Sequence, residues 1–278
     1  MTSYQDLLRQ GIDVLNEAGV EGAARDARVL MANCLDIDRT RLPLILRDEA
    51  DYFTLHEFMV DIRARAGGMP VSAIVGFKEF YGRRFEVNEA VLDPRPETEC
   101  LVAEALSGPF SEVLDLGTGS GCILLTLLAE RAKATGVGAD ISPQALEVAG
   151  RNAKALGVAD RLWLTRSNWF AGVGGQFDLI VSNPPYIALH EMDGLMPEVR
   201  NHDPRVALTD EGDGLGAYHV IAAGAPEHLR PGGCILVEIG PTQGQAVKSL
   251  FETHGLENIR ICPDLDGRDR VVRAQMPV

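Results

Sequence analysis

Cysteine is scarce in these 278 residues: five are present, Cys34, Cys100, Cys122, Cys234 and Cys262, odd in number and without a CxxC pair. That spacing excludes a disulfide framework and a zinc cluster, so no metal is expected and a cytoplasmic, reducing setting fits. Long apolar runs are also missing. No stretch of about 18 apolar residues occurs, and the opening MTSYQDLLRQ has an acid where a secretory leader would be hydrophobic, so neither membrane insertion nor secretion is expected. Basic residues are in deficit, 26 Lys and Arg against 40 Asp and Glu, for a formal net charge of -14 and a pI near 4.9. Counterion release on a phosphate backbone needs the opposite sign, so nucleic acid is a disfavoured partner. What the chain does have is 46% hydrophobic and 24% charged residues, enough to bury a full core, and its length suits one large domain or a medium one with an attachment.

From Tyr4 to about Ala66 apolar residues recur at helical spacing, as in Leu8, Ile12 and Leu15 and again in Val29, Leu30 and Cys34, which predicts a helical bundle over residues 1–68. Gly67, Gly68 and Pro70 end it. The alternating, aromatic stretch from Val71 to Val91 predicts a β-hairpin linker within residues 69–92. Beyond Pro94 the rhythm changes. Short β-rich runs (112–116, 136–141, 162–166, 177–182 and 234–239) alternate with helical stretches (123–134, 145–156 and 218–229), which implies βαβ crossovers and an α/β fold with a parallel sheet covered on both faces over residues 93–278. Leu256–Cys262 and Arg270–Ala274 read as a terminal hairpin. In open sheets of this kind ligands sit beyond the carboxyl ends of the strands, so each strand end is a candidate site.

After the first run comes Asp115-Leu116-Gly117-Thr118-Gly119-Ser120-Gly121, whose glycines permit a tight turn and close approach of a ligand at a helix N-terminus. The G-x-G-x-x-G dinucleotide pattern is broken by Cys122, which counts against an NAD dehydrogenase. Asp140, about twenty residues past the loop, can accept from both hydroxyls of a ribose, or it can cap the helix that opens near Ser142-Pro143. Asn168 can bond an adenine edge, and Trp169 can lie against a ring or pack into the core. The fourth run ends in Asn183-Pro184-Pro185-Tyr186. Two prolines stiffen this turn and leave carbonyl acceptors beside the Asn oxygen and an aromatic face. Such an edge suits a planar NH2 group, gripped by the Asn183 oxygen and the Pro184 carbonyl while Tyr186 packs against its face.

With these residues the chain resembles the amino-methyltransferases that use S-adenosyl-L-methionine and carry (D/N/S)-P-P-(Y/F). More closely it resembles the HemK/PrmC family of peptide chain release factor glutamine N5-methyltransferases. The likeness extends through the helical front end, residues 70–82, Pro94-Arg95-Pro96-Glu97-Thr98-Glu99, Pro231-Gly232-Gly233, Glu238-Ile239-Gly240 and Gly267-Arg268-Asp269-Arg270. The resemblance implies a seven-stranded, Rossmann-like class I methyltransferase domain behind a helical bundle that docks the release factor. It implies a cofactor held by Gly117, Thr118, Gly119, Ser120 and Gly121, its ribose on Asp140, its adenine near Asn168 and Trp169, and its product S-adenosyl-L-homocysteine. Asn183, Pro184 and Tyr186 would serve catalysis, and Asn183, Pro184, Pro185 and Tyr186 would hold the glutamine of a class 1 release factor, in support of translation termination. A monomer without nucleic-acid or membrane partners is expected.

The main rival is an adenine N6-methyltransferase acting on DNA or RNA, because the same clamp suits an exocyclic base amine. Residues 1–90 carry 11 basic and 15 acidic side chains, which argues for a protein partner instead. A non-catalytic cofactor-binding scaffold is the other rival, and the intact NPPY turn speaks against it. Gly174-Gly175-Gln176 matches the release-factor tripeptide only as a turn composition and is given no role.

Overall fold

The computed structural model describes residues 2–278. The chain forms two compact units, one of residues 2–77 together with 196–202, the other of residues 78–195 together with 203–278.

The first unit is helical: α1 (Tyr4–Glu17), α2 (Ala23–Cys34), α3 (Leu42–Ile45), α4 (Tyr52–Ala66) and α5 (Val71–Val75). Ser3 and Asp6 close a capping box at the start of α1, satisfying two of its free N–H groups. Leu7, Leu15, Leu30, Phe58 and Ile62 make the buried centre. Gly11 lets α1 and α4 approach closely, for a Cβ there would lie 2.6 Å from the Phe58 ring. Inside the unit Asp26 pairs with Arg65 at 2.8 Å, both almost fully buried, and Arg65 also reaches Glu198 at 2.6 Å. Residues 71–75, expected as strand, form the single-turn helix α5. Pro70 precedes it, Gly76 ends it in a left-handed conformation, and its apolar side chains join the bundle core. The expected hairpin is real but shorter, β1 (Phe77–Phe80) and β2 (Arg83–Glu86).

The second unit continues with α6 (Glu99–Leu106), β3 (Glu112–Leu116), α7 (Cys122–Glu130), β4 (Thr135–Asp140), α8 (Pro143–Ala155), β5 (Leu162–Arg166) and β6 (Phe177–Ser182). After β6 come the short helices α9 (Pro197–His202), which belongs to the first unit, and α10 (Arg205–Leu208). The chain ends with α11 (Gly216–His228), β7 (Leu229–Glu238), α12 (Gly244–Thr253), β8 (Glu257–Pro263) and β9 (Asp269–Gln275). Seven strands form one sheet in the order β5-β4-β3-β6-β7-β9-β8, parallel except at β9, whose pairing with both β7 and β8 is antiparallel. The α/β sheet and the terminal hairpin are as the sequence predicts.

Because both faces are covered, the central strands are apolar almost throughout. Along β6, Leu179 and Val181 enter the core on one face while Ile180 enters the other. Gly136 in β4 admits α7, since a Cβ there would stand 2.6 Å from Leu124 Cδ1. Asn152 on α8, 2% exposed, donates to the Ser120 and Glu86 carbonyls and accepts the Glu86 N–H, so one buried amide ties the glycine loop to the hairpin. No helix among the described residues is long and apolar enough to cross a membrane.

Candidate active site

The strand order reverses between β3 and β6: β3 leads to β4 on one side of the sheet and β6 to β7 on the other. A crevice beyond the strand ends is the consequence. Within the second unit a cavity of about 590 Å³ opens there, a size typical of small-molecule sites.

The cavity collects one feature from each successive strand end. Gly117, Thr118, Gly119 and Ser120 enter it after β3, Asp140 after β4, Asn168 and Trp169 after β5, and Asn183 and Pro185 after β6. Gly121, Pro184 and Tyr186 do not line it. Gly121 instead closes the turn into α7 at φ +80°, where a Cβ would meet Leu125 at 2.8 Å. Pro184 is buried, and the Tyr186 hydroxyl turns to Glu238 Oε1 at 3.5 Å.

The glycine loop is held by its own neighbours. Gly117 and Thr118 both donate to the Ala139 carbonyl, and Gly119 donates to Asp140 Oδ2 at 2.9 Å. Asp140 Oδ1 accepts from Ser142 N–H at 2.9 Å, and the cap of α8 is Ser142, whose hydroxyl takes the Ala145 N–H. Asp140 is thus not the helix cap. A carboxylate has about four acceptor positions, so two remain for hydroxyl donors in the cavity. Beneath the loop Asp115 is fully buried; burial raises its acid to about 7, against the opposing hydrogen bond from Thr118. Trp169 is half-buried with φ +52°, held by Ser167, which donates to its carbonyl at 2.6 Å and accepts from Gly172 at 2.8 Å.

Asn183 lines the other part of the cavity, after β6. Its Nδ2 donates to Thr98 Oγ1 at 3.3 Å, while its Oδ1 is buried and has no partner. An acceptor in that state is costly unless a ligand supplies a donor. Behind it lies Glu238, 1% exposed, whose acid is raised to about 7 by burial against the opposing effects of Thr98 and the Arg270 charge. Tyr186 is raised to about 12, by burial first and by the Glu238 charge second.

Several residues of the site escaped sequence reasoning. Thr98 and the stretch 90–95 form one wall, and Pro204–Ala207 with Thr209–Glu211 form another. Asp210 accepts from the N–H groups of Gly212, Gly214 and Gly216 at 2.7–3.0 Å, a compact loop that shapes this second wall. One signal was present: Glu238 ends an otherwise apolar buried run, where a lone acid calls for a partner.

Added side-chain atoms at Gly117 would meet nothing within 4 Å, so the loop presents open backbone to the cavity. With Asp140 facing the same space, the residues fit a nucleoside-bearing cofactor.

Comparison with known proteins agrees. Residues 6–76 match the PrmC N-terminal domain and residues 96–213 the methyltransferase small domain. A release factor glutamine methyltransferase of Cereibacter sphaeroides is 55% identical over 98% of this chain and 98% of its own. Another, of Caulobacter vibrioides, is 43% identical over 94% of this chain and 92% of its own. Among solved structures, a methyltransferase of Pyrococcus furiosus aligns at TM-score 0.55 and 18% identity over 72% of this chain and 92% of that one, a likeness of fold alone. With the bundle, the switch-point cavity and the unpartnered Asn183 acceptor in place, these relationships make the chain a member of the HemK/PrmC family of release factor glutamine methyltransferases.

Proposed function

We propose that this protein transfers a methyl group from S-adenosyl-L-methionine to the side-chain amide nitrogen, N5, of the glutamine in the Gly-Gly-Gln segment of class 1 peptide chain release factors, in support of translation termination. The observation that carries this reading is the buried, unpartnered Asn183 Oδ1 at the edge of a cavity that also holds the glycine loop.

The residues Gly117–Ser120 would hold the cofactor's charged tail, Asp140 its ribose, and Asn168 with Trp169 its adenine. When bound, S-adenosyl-L-methionine supplies a methyl group already activated by its positive sulfur. The chain then has to place a poor nucleophile, because the lone pair of an amide nitrogen is delocalised. Asn183 Oδ1 would accept one amide hydrogen, fixing the nitrogen with its face toward the cavity, while Pro184, off the cavity lining, would stiffen the turn that carries it. Positioning of this kind can remove roughly 7–11 kcal/mol of barrier. No strong base is required, since the nitrogen loses its proton readily once alkylated. In keeping with this, none of the six histidines lines the cavity. Tyr186 would act from behind, its hydroxyl on Glu238 and its carbonyl accepting from Gln243 at 2.9 Å, which keeps the turn rigid.

The formal charge of -14 favours a protein substrate over nucleic acid. The reading includes a monomer with no membrane or nucleic-acid partner and a cytoplasmic location, in keeping with five free thiols. The test is incubation with labelled S-adenosyl-L-methionine and, separately, a release factor or unmethylated DNA, followed by mass mapping. Label on the Gly-Gly-Gln glutamine is the expected result; label on adenine alone rejects it.

A further inference from the structure

Residues 94–99 reach three parts of the second unit. Thr98 Oγ1 accepts from Asn183 Nδ2 at 3.3 Å, Glu99 accepts the Tyr81 N–H at 2.7 Å, and Arg95 Nη2 donates to Asp203 Oδ2 at 2.5 Å. Between Arg95 and Thr98 the backbone makes one tight turn, closed by the Thr98 N–H on the Arg95 carbonyl at 3.0 Å. The arginine thus stands one turn from the residue that holds Asn183, and all three line the cavity. We infer that Arg95, anchored by Asp203, is a substrate-binding residue that donates to a backbone carbonyl of the Gly-Gly-Gln segment while the glutamine amide lies against Asn183. The inference rests on the proposed reading of the release factor as substrate.

The ion pair is anchored at one end and open at the other. The Asp203 side chain is 10% exposed and that of Arg95 32%, so a buried acid fixes a guanidinium on the cavity wall. A guanidinium carries several N–H donors in a rigid fork, and the bond to Asp203 occupies one. Arg205, the other arginine of the lining, gives both Nε and Nη2 to Glu211, at 2.6 and 2.9 Å, and turns its fork to an acid instead. A peptide that enters a cavity strips water from its carbonyls, and each carbonyl then needs a donor. The side chain of glutamine is short, so an amide seated at Asn183 keeps its own backbone near the same wall. The two glycines put no side chain between that backbone and the arginine.

The charge of the lining selects a carbonyl over a phosphate. Asp93, Asp140, Asp210 and Glu211 stand there against Arg95 and Arg205, and Arg95 is balanced by Asp203 as well. A neutral carbonyl needs only a directed N–H, whereas a phosphate needs an excess of positive charge that this wall does not hold. The anchored fork therefore separates a peptide amide from a base amine on a nucleic-acid strand, two groups that the Asn183 oxygen alone would serve equally.

The test measures labelling of a release factor by the full chain and, separately, cofactor Kd by calorimetry. Arg95→Met keeps the stem and removes the fork; KM for the release factor should rise roughly 10- to 100-fold, with kcat and cofactor Kd within a few-fold of wild type. Asp203→Asn loosens the anchor but leaves the donors, so its KM should rise clearly less. Arg95→Lys keeps the ion pair, serves as the probe if Arg95→Met does not fold, and should still raise KM, since an ammonium lacks the planar fork. A wild-type protein that leaves the release factor unlabelled rejects the functional reading and the inference with it. Three outcomes beside normal wild-type labelling reject the inference alone. Unchanged KM in the Arg95 variants removes the contact, and an equal rise in Arg95→Met and Asp203→Asn reduces the pair to a structural tie. A weakened cofactor Kd in Arg95→Met assigns the fork to the cofactor's carboxylate instead.

Discussion

Asp140 spends two of its acceptor positions on the backbone, at Gly119 and Ser142, and keeps two for the cavity. One residue thus shapes the loop and faces the cavity. Replacing it by alanine should weaken S-adenosyl-L-methionine binding about tenfold or more, since a charge-assisted hydrogen bond contributes roughly 1.5–3 kcal/mol. Calorimetry showing unchanged affinity would remove the ribose role. Asn183→Ala should act differently, lowering kcat by about two orders of magnitude, as loss of a single oriented polar contact does elsewhere, while cofactor affinity stays within a few-fold. Equal turnover in the two proteins would sink the amide clamp. Both positions were legible in the sequence because each stands at a strand end, Asp140 as the last residue of β4 and Asn183 as the first after β6. Thr98 was not, because its partner Asn183 lies 85 positions away and only folding makes them neighbours.

At the scale of elements, the least legible part of the site is the loop before α11. Its composition, Asp210-Glu211-Gly212-Asp213-Gly214, reads as an ordinary turn, yet Asp210 gathers three glycine N–H groups and the loop lines the cavity. Gly214 has φ +80°, and a Cβ there would stand 2.4 Å from the Tyr186 carbonyl. Gly212 is roomier, with the nearest atom, Asp210 Oδ1, at 3.4 Å. Gly214→Ala should therefore destabilise by roughly 1–3 kcal/mol and depress turnover, because the carbonyl it displaces belongs to the NPPY turn. Gly212→Ala should be close to neutral. Melting temperatures and initial rates of the pair check this; matching values would show that the loop is not fitted to the turn. The helix α5 is a second lesson at this scale. Val71, Ala73 and Val75 alternate as a strand would, but Pro70 and Gly76 bracket a single helical turn, and over five residues periodicity cannot separate the two.

For the whole molecule, two buried carboxyls set an unusual pH dependence. Asp115 and Glu238 hold their protons to about 7 in the folded chain, whereas their ordinary values are 3.8 and 4.5. Between those limits the folded state binds more protons than the unfolded, so stability falls as pH rises from about 4 toward 7 and is level above it, by at most about 1.4 kcal/mol per pH unit for each group. Carboxyls that are lowered, such as Asp6 with Ser3 and Asp51 with Thr54, work in the opposite sense only at more acid pH. Thermal unfolding should give a melting temperature that drops from pH 5 to pH 7, with a shallower slope in Asp115→Asn. A rising or flat wild-type curve would show that these acids are solvated.

By itself the sequence determined the class of fold, since hydrophobic periodicity and strand-to-strand spacing are local properties, and it determined the four strand-end motifs, since each is a run of neighbours in the chain. It determined also the net charge of -14. Only the tertiary structure decided that Asp140 both braces the glycine loop and faces the cavity, that Tyr186 is off the cavity lining with its hydroxyl on Glu238, and that Thr98 accepts from the Asn183 amide. These are matters of which buried polar group finds which partner. Such pairings are enforced by the cost of leaving any of them unsatisfied, and they join residues that nothing in their separate stretches of sequence connects.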